Sequence, residues 1–206
     1  MKHILVINPK GGSGKTTLST NLAGYFAAQG NSVTLADLDR QQSSIDWLKR
    51  RPKDLPKIKA LDARRQELSD KPDWLITDAP AGIRNEKLTE AIQQADWVIV
   101  PIQPSILDMC ATRDFLAVLE EEKAIRKQKT AVAVVGMRMS THTRSSASLL
   151  EFLQETGLPM PACLRNAQTY VTAAEQGMSL FDMRPSQVKV DLQQWRPLLD
   201  WIQNTH

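Results

Sequence analysis

Cysteine is nearly missing from these 206 residues: only Cys110 and Cys163 occur, far apart in the chain. That excludes a disulfide framework and suits a reducing compartment, where thiols stay free. Histidine is as scarce. His3, His142 and His206 are scattered and none pairs with a cysteine, so a zinc centre is not expected. No apolar run reaches the ~18 residues that a membrane span needs. The first residues run straight into a strand and a glycine loop, which leaves no room for a secretory signal, and the expected location is the cytoplasm. No internal repeat, low-complexity tract or convincing linker interrupts the chain, so residues 1–206 are expected to form a single domain. The net charge of +3 is too small to argue for nucleic acid by itself.

What is present is a soluble globular balance, 42% hydrophobic and 24% charged residues. A chain of this size buries roughly 70% of its unfolded surface. Short apolar runs alternate with helical patterns. Strands are expected at His3 to Asn8, Ser32 to Asp37, Asp73 to Asp78, Trp97 to Ile102 and Thr130 to Gly136. Lys15 to Gln29 reads as a helix, with Leu18, Leu22, Ala23 and Phe26 on one face and Gly30 closing it. Further helices are expected near Glu86 to Gln94, Leu107 to Lys127 and Ser145 to Glu155. In the tail, Val188, Leu192, Trp195, Leu199 and Ile202 share a helical face that Pro197 is expected to break or restart. The alternation predicts an α/β fold: a mostly parallel central sheet with helices on both faces, binding ligands beyond the carboxyl ends of its strands.

Chemistry concentrates at those ends. Asn8 to Thr17 (NPKGGSGKTT) follows a strand and opens a helix. Gly11, Gly12 and Gly14 let the backbone curl close to phosphate, and the amides of Ser13 and its neighbours join the helix N-terminus in a concave anion site. Lys15 is placed to reach the β- and γ-phosphates, Thr16 to offer a hydroxyl to Mg2+, and Thr17 to complete the loop. The first glycine of the usual Gly-x4-Gly-Lys-Thr spacing is replaced, and the segment fits the deviant form Lys-Gly-Gly-x-Gly-Lys-Thr-Thr. Lys10 is a second cation inside the loop. One task for it is to reach a triphosphate held by a second copy of the chain, as an arginine finger does. Asp37 and Asp78 end two strands beside the loop and can hold magnesium directly or through water. Asp39 can orient the attacking water or cap a helix beginning near Gln41. No Asn-Lys-x-Asp segment for guanine is present, which favours ATP over GTP.

These motifs resemble the ParA/MinD family of deviant Walker A P-loop ATPases, and the short ParA-type partition ATPases in particular. The matching segments are KGGSGKTT (10–17), DLDRQ (37–41), LITDAPAG (75–82), VPIQPSILD (100–108) and RNAQTYVTAAEQGMSLFD (165–182). The resemblance implies the P-loop NTPase fold, a homodimer that sandwiches ATP with Lys10 crossing the interface, and weak ATP hydrolysis with Lys10, Lys15 and Asp39 as its catalytic residues. It also implies non-specific binding of double-stranded DNA by that dimer, nucleoid association, and a ParB-like or other cargo adaptor that stimulates turnover. The chain departs from the family at Arg40, where proline is usual, and has no helix-turn-helix extension before the first strand.

The cargo implied is plasmid or chromosome DNA, with a carboxysome or chemoreceptor array as protein alternatives. A MinD-like membrane cycle would need a basic amphipathic tail. The tail here carries Asp191 and Asp200 against Lys189 and Arg196, so stable membrane association is not expected. Two cysteines placed near a helix start and a late strand fit burial better than an iron–sulfur cluster. For DNA, Arg165 and Lys189 are the first candidates, with Arg138 and Arg144 behind them. The run Lys49, Arg50, Arg51, Lys53, Lys57, Lys59, Arg64 and Arg65 is the competing patch, and Lys123 to Lys129 is a second basic run.

Overall fold

The computed structural model describes residues 1–64, 68, 70–140 and 143–205. Arg65, His142 and His206 lie outside them. Seven strands form one sheet: β1 (Lys2–Val6), β2 (Val33–Asp37), β3 (Lys59–Asp62), β4 (Trp74–Asp78), β5 (Trp97–Ile102), β6 (Ala131–Met139) and β7 (Ala162–Arg165). Their order is β3-β2-β4-β1-β5-β6-β7, and every pair is parallel. Between them run α1 (Lys15–Ala28), α2 (Ser43–Arg50), α3 (Asn85–Gln93), α4 (Ile106–Glu121), α5 (Lys123–Arg126), α6 (Arg144–Glu155), α7 (Gln168–Glu175) and α8 (Pro185–Asn204), with a 3-10 turn at Leu180–Asp182.

The strands are apolar on both faces because helices cover both. Along β1, Ile4 and Val6 face one core with Leu18 and Leu22 of α1, while Leu5 faces the other with Leu116 and Leu149 of α4 and α6. The period of two splits each strand between the two layers. β1 sits at the centre. Its last residue, Val6, lies level with Asp78 of β4, which lies level with Asp37 of β2. The loop after β1 therefore emerges beside both carboxylates.

Three elements differ from expectation. The helix predicted over Leu107 to Lys127 is two: Glu122 turns extended (ψ 129°), its carboxylate accepting from the Thr89 hydroxyl at 2.8 Å, before α5 restarts. Pro197 does not break α8; the carbonyl its ring excludes belongs to Gln193, an exposed residue, and the one irregular residue is Val188 (φ −123°, ψ 16°). The helix after β2 starts at Ser43 rather than near Gln41, its N-cap residue is Gln42 rather than Asp39, and Asp37 holds its first turn: Asp37 Oδ2 accepts from the Ser44 amide at 3.1 Å and the Ser44 hydroxyl at 2.7 Å. No helix among the described residues is long and apolar enough to cross a membrane.

Candidate nucleotide site

The loop from Asn8 to Thr17 is pinned at its start by a buried amide. Asn8 Nδ2 donates to the Pro101 carbonyl (2.8 Å) and to the Thr112 hydroxyl (3.1 Å), and its Oδ1 accepts from the Lys10 amide (2.8 Å). The end of β1 is thus tied to the end of β5 and to α4. The chain then reverses through Gly12 (φ 77°) and Gly14 (φ 103°), both in the left-handed region. A Cβ at Gly12 would meet open space, so Gly12 serves the turn. A Cβ at Gly14 would lie 2.8 Å from Met137 Cε, so Gly14 serves close packing too.

Gly14 caps α1 without a side chain, and the first turn carries no acid. The leading amides of the helix therefore have no acceptor among the described residues, the arrangement that takes an anion. Lys15, 8% exposed, donates its ammonium to the Lys10 carbonyl at 2.8 Å. Burial lowers its pKa, against the pull of Asp78 and Asp39. Ser13 is buried and donates to the same carbonyl at 3.2 Å. The Lys10 ammonium makes no hydrogen bond or ion pair with any described residue.

Across the loop, the Thr16 hydroxyl donates to Asp78 Oδ2 at 2.8 Å. Asp78 is 2% exposed, and its Oδ1 has no hydrogen-bond partner among the described residues. Burial raises its pKa to about 7; Asp37 and Asp39 push the same way, and Thr16 and Lys15 oppose them. A buried carboxylate oxygen without a donor, next to a hydroxyl at a helix start, fits a magnesium site held directly or through water. Asp37 is wholly buried and engaged by Ser44 and by the Asp39 amide, which donates to its Oδ1 at 2.8 Å. Its carboxylate anchors the turn on which Asp39 sits. Asp39 is half-buried and accepts from the Gln41 amide at 3.0 Å. Arg40 occupies the exposed second place of that turn, closed by the Gln42 amide on the Asp39 carbonyl at 3.3 Å. Proline is favoured there but most residues fit.

A cavity of about 580 Å³ opens beside Gly14 and Thr17 and is lined by Met137, Arg138, Arg165, Asn166 and Tyr170 among others. Arg138 (φ 51°) lies in the register shift between β6 and β7. Two of the basic DNA candidates, Arg138 and Arg165, thus line a cavity at the loop. The Arg165 guanidinium is held by the buried Asp191 carboxylate (2.6 and 3.0 Å), which also accepts from Thr169. Arg144 and Lys189 stand apart, exposed on α6 and α8. In the competing run, Arg51 is spent on a buried ion pair with Asp182 at 2.8 Å.

Of the residues expected from sequence, Lys15, Thr16, Asp39 and Asp78 lie together at the loop. Sequence reasoning missed Asn8, Gln103, Met137, Asn166 and Tyr170. Gln103 donates its amide to the Gly12 carbonyl. Asn8 carried a signal, a polar residue closing an apolar strand; Gln103, Asn166 and Tyr170 fall within the segments 100–108 and 165–182 that carry the resemblance, and Met137 carried none.

The model of the CobQ/CobB/MinD/ParA nucleotide binding domain family matches residues 4–180. The maintenance of carboxysome distribution protein A of Gloeobacter kilaueensis is 30% identical over 190 residues, 88% of this chain and 84% of that protein. Protein ParA of Rhizobium radiobacter is 27% identical over 163 residues, 73% of each. Among solved structures, the ATP complex of a point variant of Cyanothece McdA superposes with a TM-score of 0.75 at 17% identity, covering 100% of this chain and 96% of that one.

Proposed function

Because this chain belongs to the CobQ/CobB/MinD/ParA family of nucleotide-binding domains, we propose that it is a ParA-type ATPase that closes as a homodimer over ATP and moves a cargo along DNA. The observation that carries the reading is the Thr16–Asp78 pair with its unpartnered oxygen, set against the uncapped start of α1. Together these offer an anion cradle and a cation site a hydrogen bond apart, which Mg-ATP needs and a bare phosphate does not.

The roles divide as follows. The amides of Gly11 to Thr17 hold phosphate, Lys15 leaves the Lys10 carbonyl for the β/γ oxygens, and Thr16 with Asp78 holds magnesium. Bound there, Mg2+ neutralises charge developing on the phosphates. Asp37 holds the turn, and Asp39 orients water for attack. The cavity beside Gly14 and Thr17 takes the nucleoside. The free ammonium of Lys10 serves the nucleotide of the partner copy. DNA phosphates meet exposed cations, with Lys189 and Arg144 better placed than Arg165. An adaptor recruits the cargo and stimulates turnover.

For the cargo, a protein body is a second reading beside plasmid or chromosome DNA, since a relative matched over 84% of its length bears a carboxysome-distribution name. The test is sedimentation and phosphate release with Mg-ATP, followed by gel shifts on two unrelated duplexes with ATP and ADP. ATP-dependent dimers, slow turnover and sequence-indifferent shifts in ATP alone are expected. A monomer in saturating Mg-ATP, or equal DNA binding in both nucleotides, would overturn the dimer-linked cycle.

A further inference from the structure

The three elements that frame the nucleotide site meet a second time, at the segment from Gly177 to Asp182. α1 leaves the phosphate loop, α2 leaves the turn that carries Asp39, and α7 walls the 580 Å³ cavity with Tyr170, Ala174 and Glu175. From α1, Asn21 Oδ1 accepts from the Leu180 amide at 2.8 Å while Asn21 Nδ2 donates to the Thr17 carbonyl at 2.8 Å. From α2, the Trp47 indole donates to the Met178 carbonyl at 3.2 Å. α7 runs directly into the segment, closed by the Met178 amide on the Ala173 carbonyl at 2.8 Å.

Asp182 is the centre of this junction. Its carboxylate takes both arms of the Arg51 guanidinium, at 2.8 and 3.0 Å, and also accepts from the Ser179 amide and hydroxyl. The pair is almost out of water, with side chains 5% and 1% exposed, and the guanidinium lies 5.3 Å over the Trp47 ring. A forked pair buried in this way fixes geometry more than it adds stability. Close packing removes the slack around it. A Cβ at Gly24 of α1 would lie 2.2 Å from Ser179 Oγ, and one at Gly177 (φ 65°) would lie 2.4 Å from the Arg51 backbone nitrogen. α2 is therefore a strut about 12 Å long, tied to Asp37 by Ser44 at one end and to Asp182 by Arg51 at the other.

We propose that Arg51 is a positioning residue for hydrolysis: through Asp182 it holds the far end of α2 against the cavity wall and so sets where Asp39 stands relative to the phosphate loop. This rests on the reading of Asp39 as the residue that orients water. Among the described residues, nothing outside its own turn hydrogen-bonds the Asp39 carboxylate, so its place follows the start of α2. A nucleoside packed on α7 then bears on Asp39 through the same strut, and turnover depends on the presence of the base. Misplacing a catalytic group by about 1 Å costs on the order of a hundredfold, so a small slip of α2 is enough.

The test compares the parent with Arg51→Lys, which keeps the charge and loses the fork, and with Trp47→Phe, which loses only the indole donor. Leu153→Ala, in the core on the opposite face of the sheet, controls for lost stability. Phosphate release is measured from Mg-ATP and from magnesium tripolyphosphate, which has no base, and affinity with a non-hydrolysable ATP analogue. Arg51→Lys should slow ATP turnover at least about tenfold, leave analogue affinity within about twofold, and remove most of the parent's preference for ATP over tripolyphosphate. Trp47→Phe should move turnover the same way by about threefold, and Leu153→Ala should melt lower with the parent's preference intact. Without any hydrolysis, the analogue should slow amide exchange over residues 38–42 in the parent and much less in Arg51→Lys. Parent-like turnover in Arg51→Lys, turnover and affinity falling in proportion, a parent indifferent to the base, or equal exchange protection in parent and variant would each overturn the role of Arg51. A parent that binds the analogue but releases no phosphate from ATP would instead sink the ATPase reading, and the exchange comparison would still decide the strut.

Discussion

Thr16 Oγ1 and Asp78 Oδ2 lie 2.8 Å apart although 62 residues separate them in sequence, and the other oxygen of that carboxylate is buried without a donor among the described residues. The pair ties the start of α1 to the end of β4, and taking that carboxylate out of water carries a cost.

That cost has a pH signature. The folded-state pKa of Asp78, raised to about 7 by burial, exceeds its unfolded value of 3.8, so between the two the folded chain holds a proton that the unfolded chain has lost. The stabilisation is full below the lower value and is lost as pH rises through about 7, by roughly 4 kcal/mol at the outside. Thermal melts of nucleotide-free protein should therefore fall from about pH 5 to about pH 8. Asp78→Asn should flatten that dependence, raise the melting temperature at the alkaline end, and abolish magnesium-dependent ATP binding. A variant with the same slope as the parent would place the titration elsewhere.

Lys15→Ala should reduce triphosphate affinity at least about a hundredfold, because the charge-assisted contact to the β/γ oxygens goes with it. Isothermal titration with a non-hydrolysable analogue reads this directly. Unchanged affinity would remove Lys15 from its central place.

Asp37 and Asp39 should fail differently. Asp39→Ala should bind ATP, form dimers and turn over about a hundredfold more slowly, since water is positioned chiefly in the transition state. Asp37→Ala strips the hold from the first turn of α2 and the anchor from the turn before it, so it should lose about 1–3 kcal/mol of stability together with turnover. Equal melting temperatures for the two variants would show that Asp37 is not an anchor.

Lys10→Ala should leave monomer binding of ATP nearly intact and reduce both dimerisation and hydrolysis. Sedimentation in Mg-ATP is the measurement, and an undiminished dimer would end the role across the interface.

Arg165→Ala is a poor probe of DNA contact, since it strands the buried Asp191 carboxylate. With the guanidinium part-exposed, the expected loss is about 2 kcal/mol of stability, less than for a fully buried pair. Lys189→Ala and Arg144→Ala should leave stability unchanged, and each should flatten the salt dependence of DNA binding by about one, equally on unrelated duplexes. A Lys189 variant with an unaltered salt slope would take that residue off the DNA face.

The fold was legible where burial on two faces wrote long apolar runs, as in SVTLAD or WVIVPI, and the phosphate loop was legible because its chemistry lies within ten consecutive residues. β3 and β7 are four residues each at the sheet edges, too short for a period of two to register. The task of Asp37 was hidden for a different reason. A strand-end aspartate beside a phosphate loop reads as a metal ligand, and nothing in the sequence shows that Ser44 and the Asp39 amide also donate to it. The cavity wall was hidden because Met137, Asn166 and Tyr170 converge only after two crossovers.

The central position of β1 also bears on how the chain is made. It is synthesised before either neighbour, and its pairing waits for β4 and then for β5, which ends at Ile102. Until β4 has left the ribosome, an apolar strand and the sticky face of α1 have no sheet to join, and the other edge of β1 stays open until about half the chain is out. Such late closure of a parallel centre slows folding and leaves the nascent chain prone to aggregation. Chaperone contact during translation, concentrated on the first half of the chain and released once β5 emerges, follows from the strand order alone.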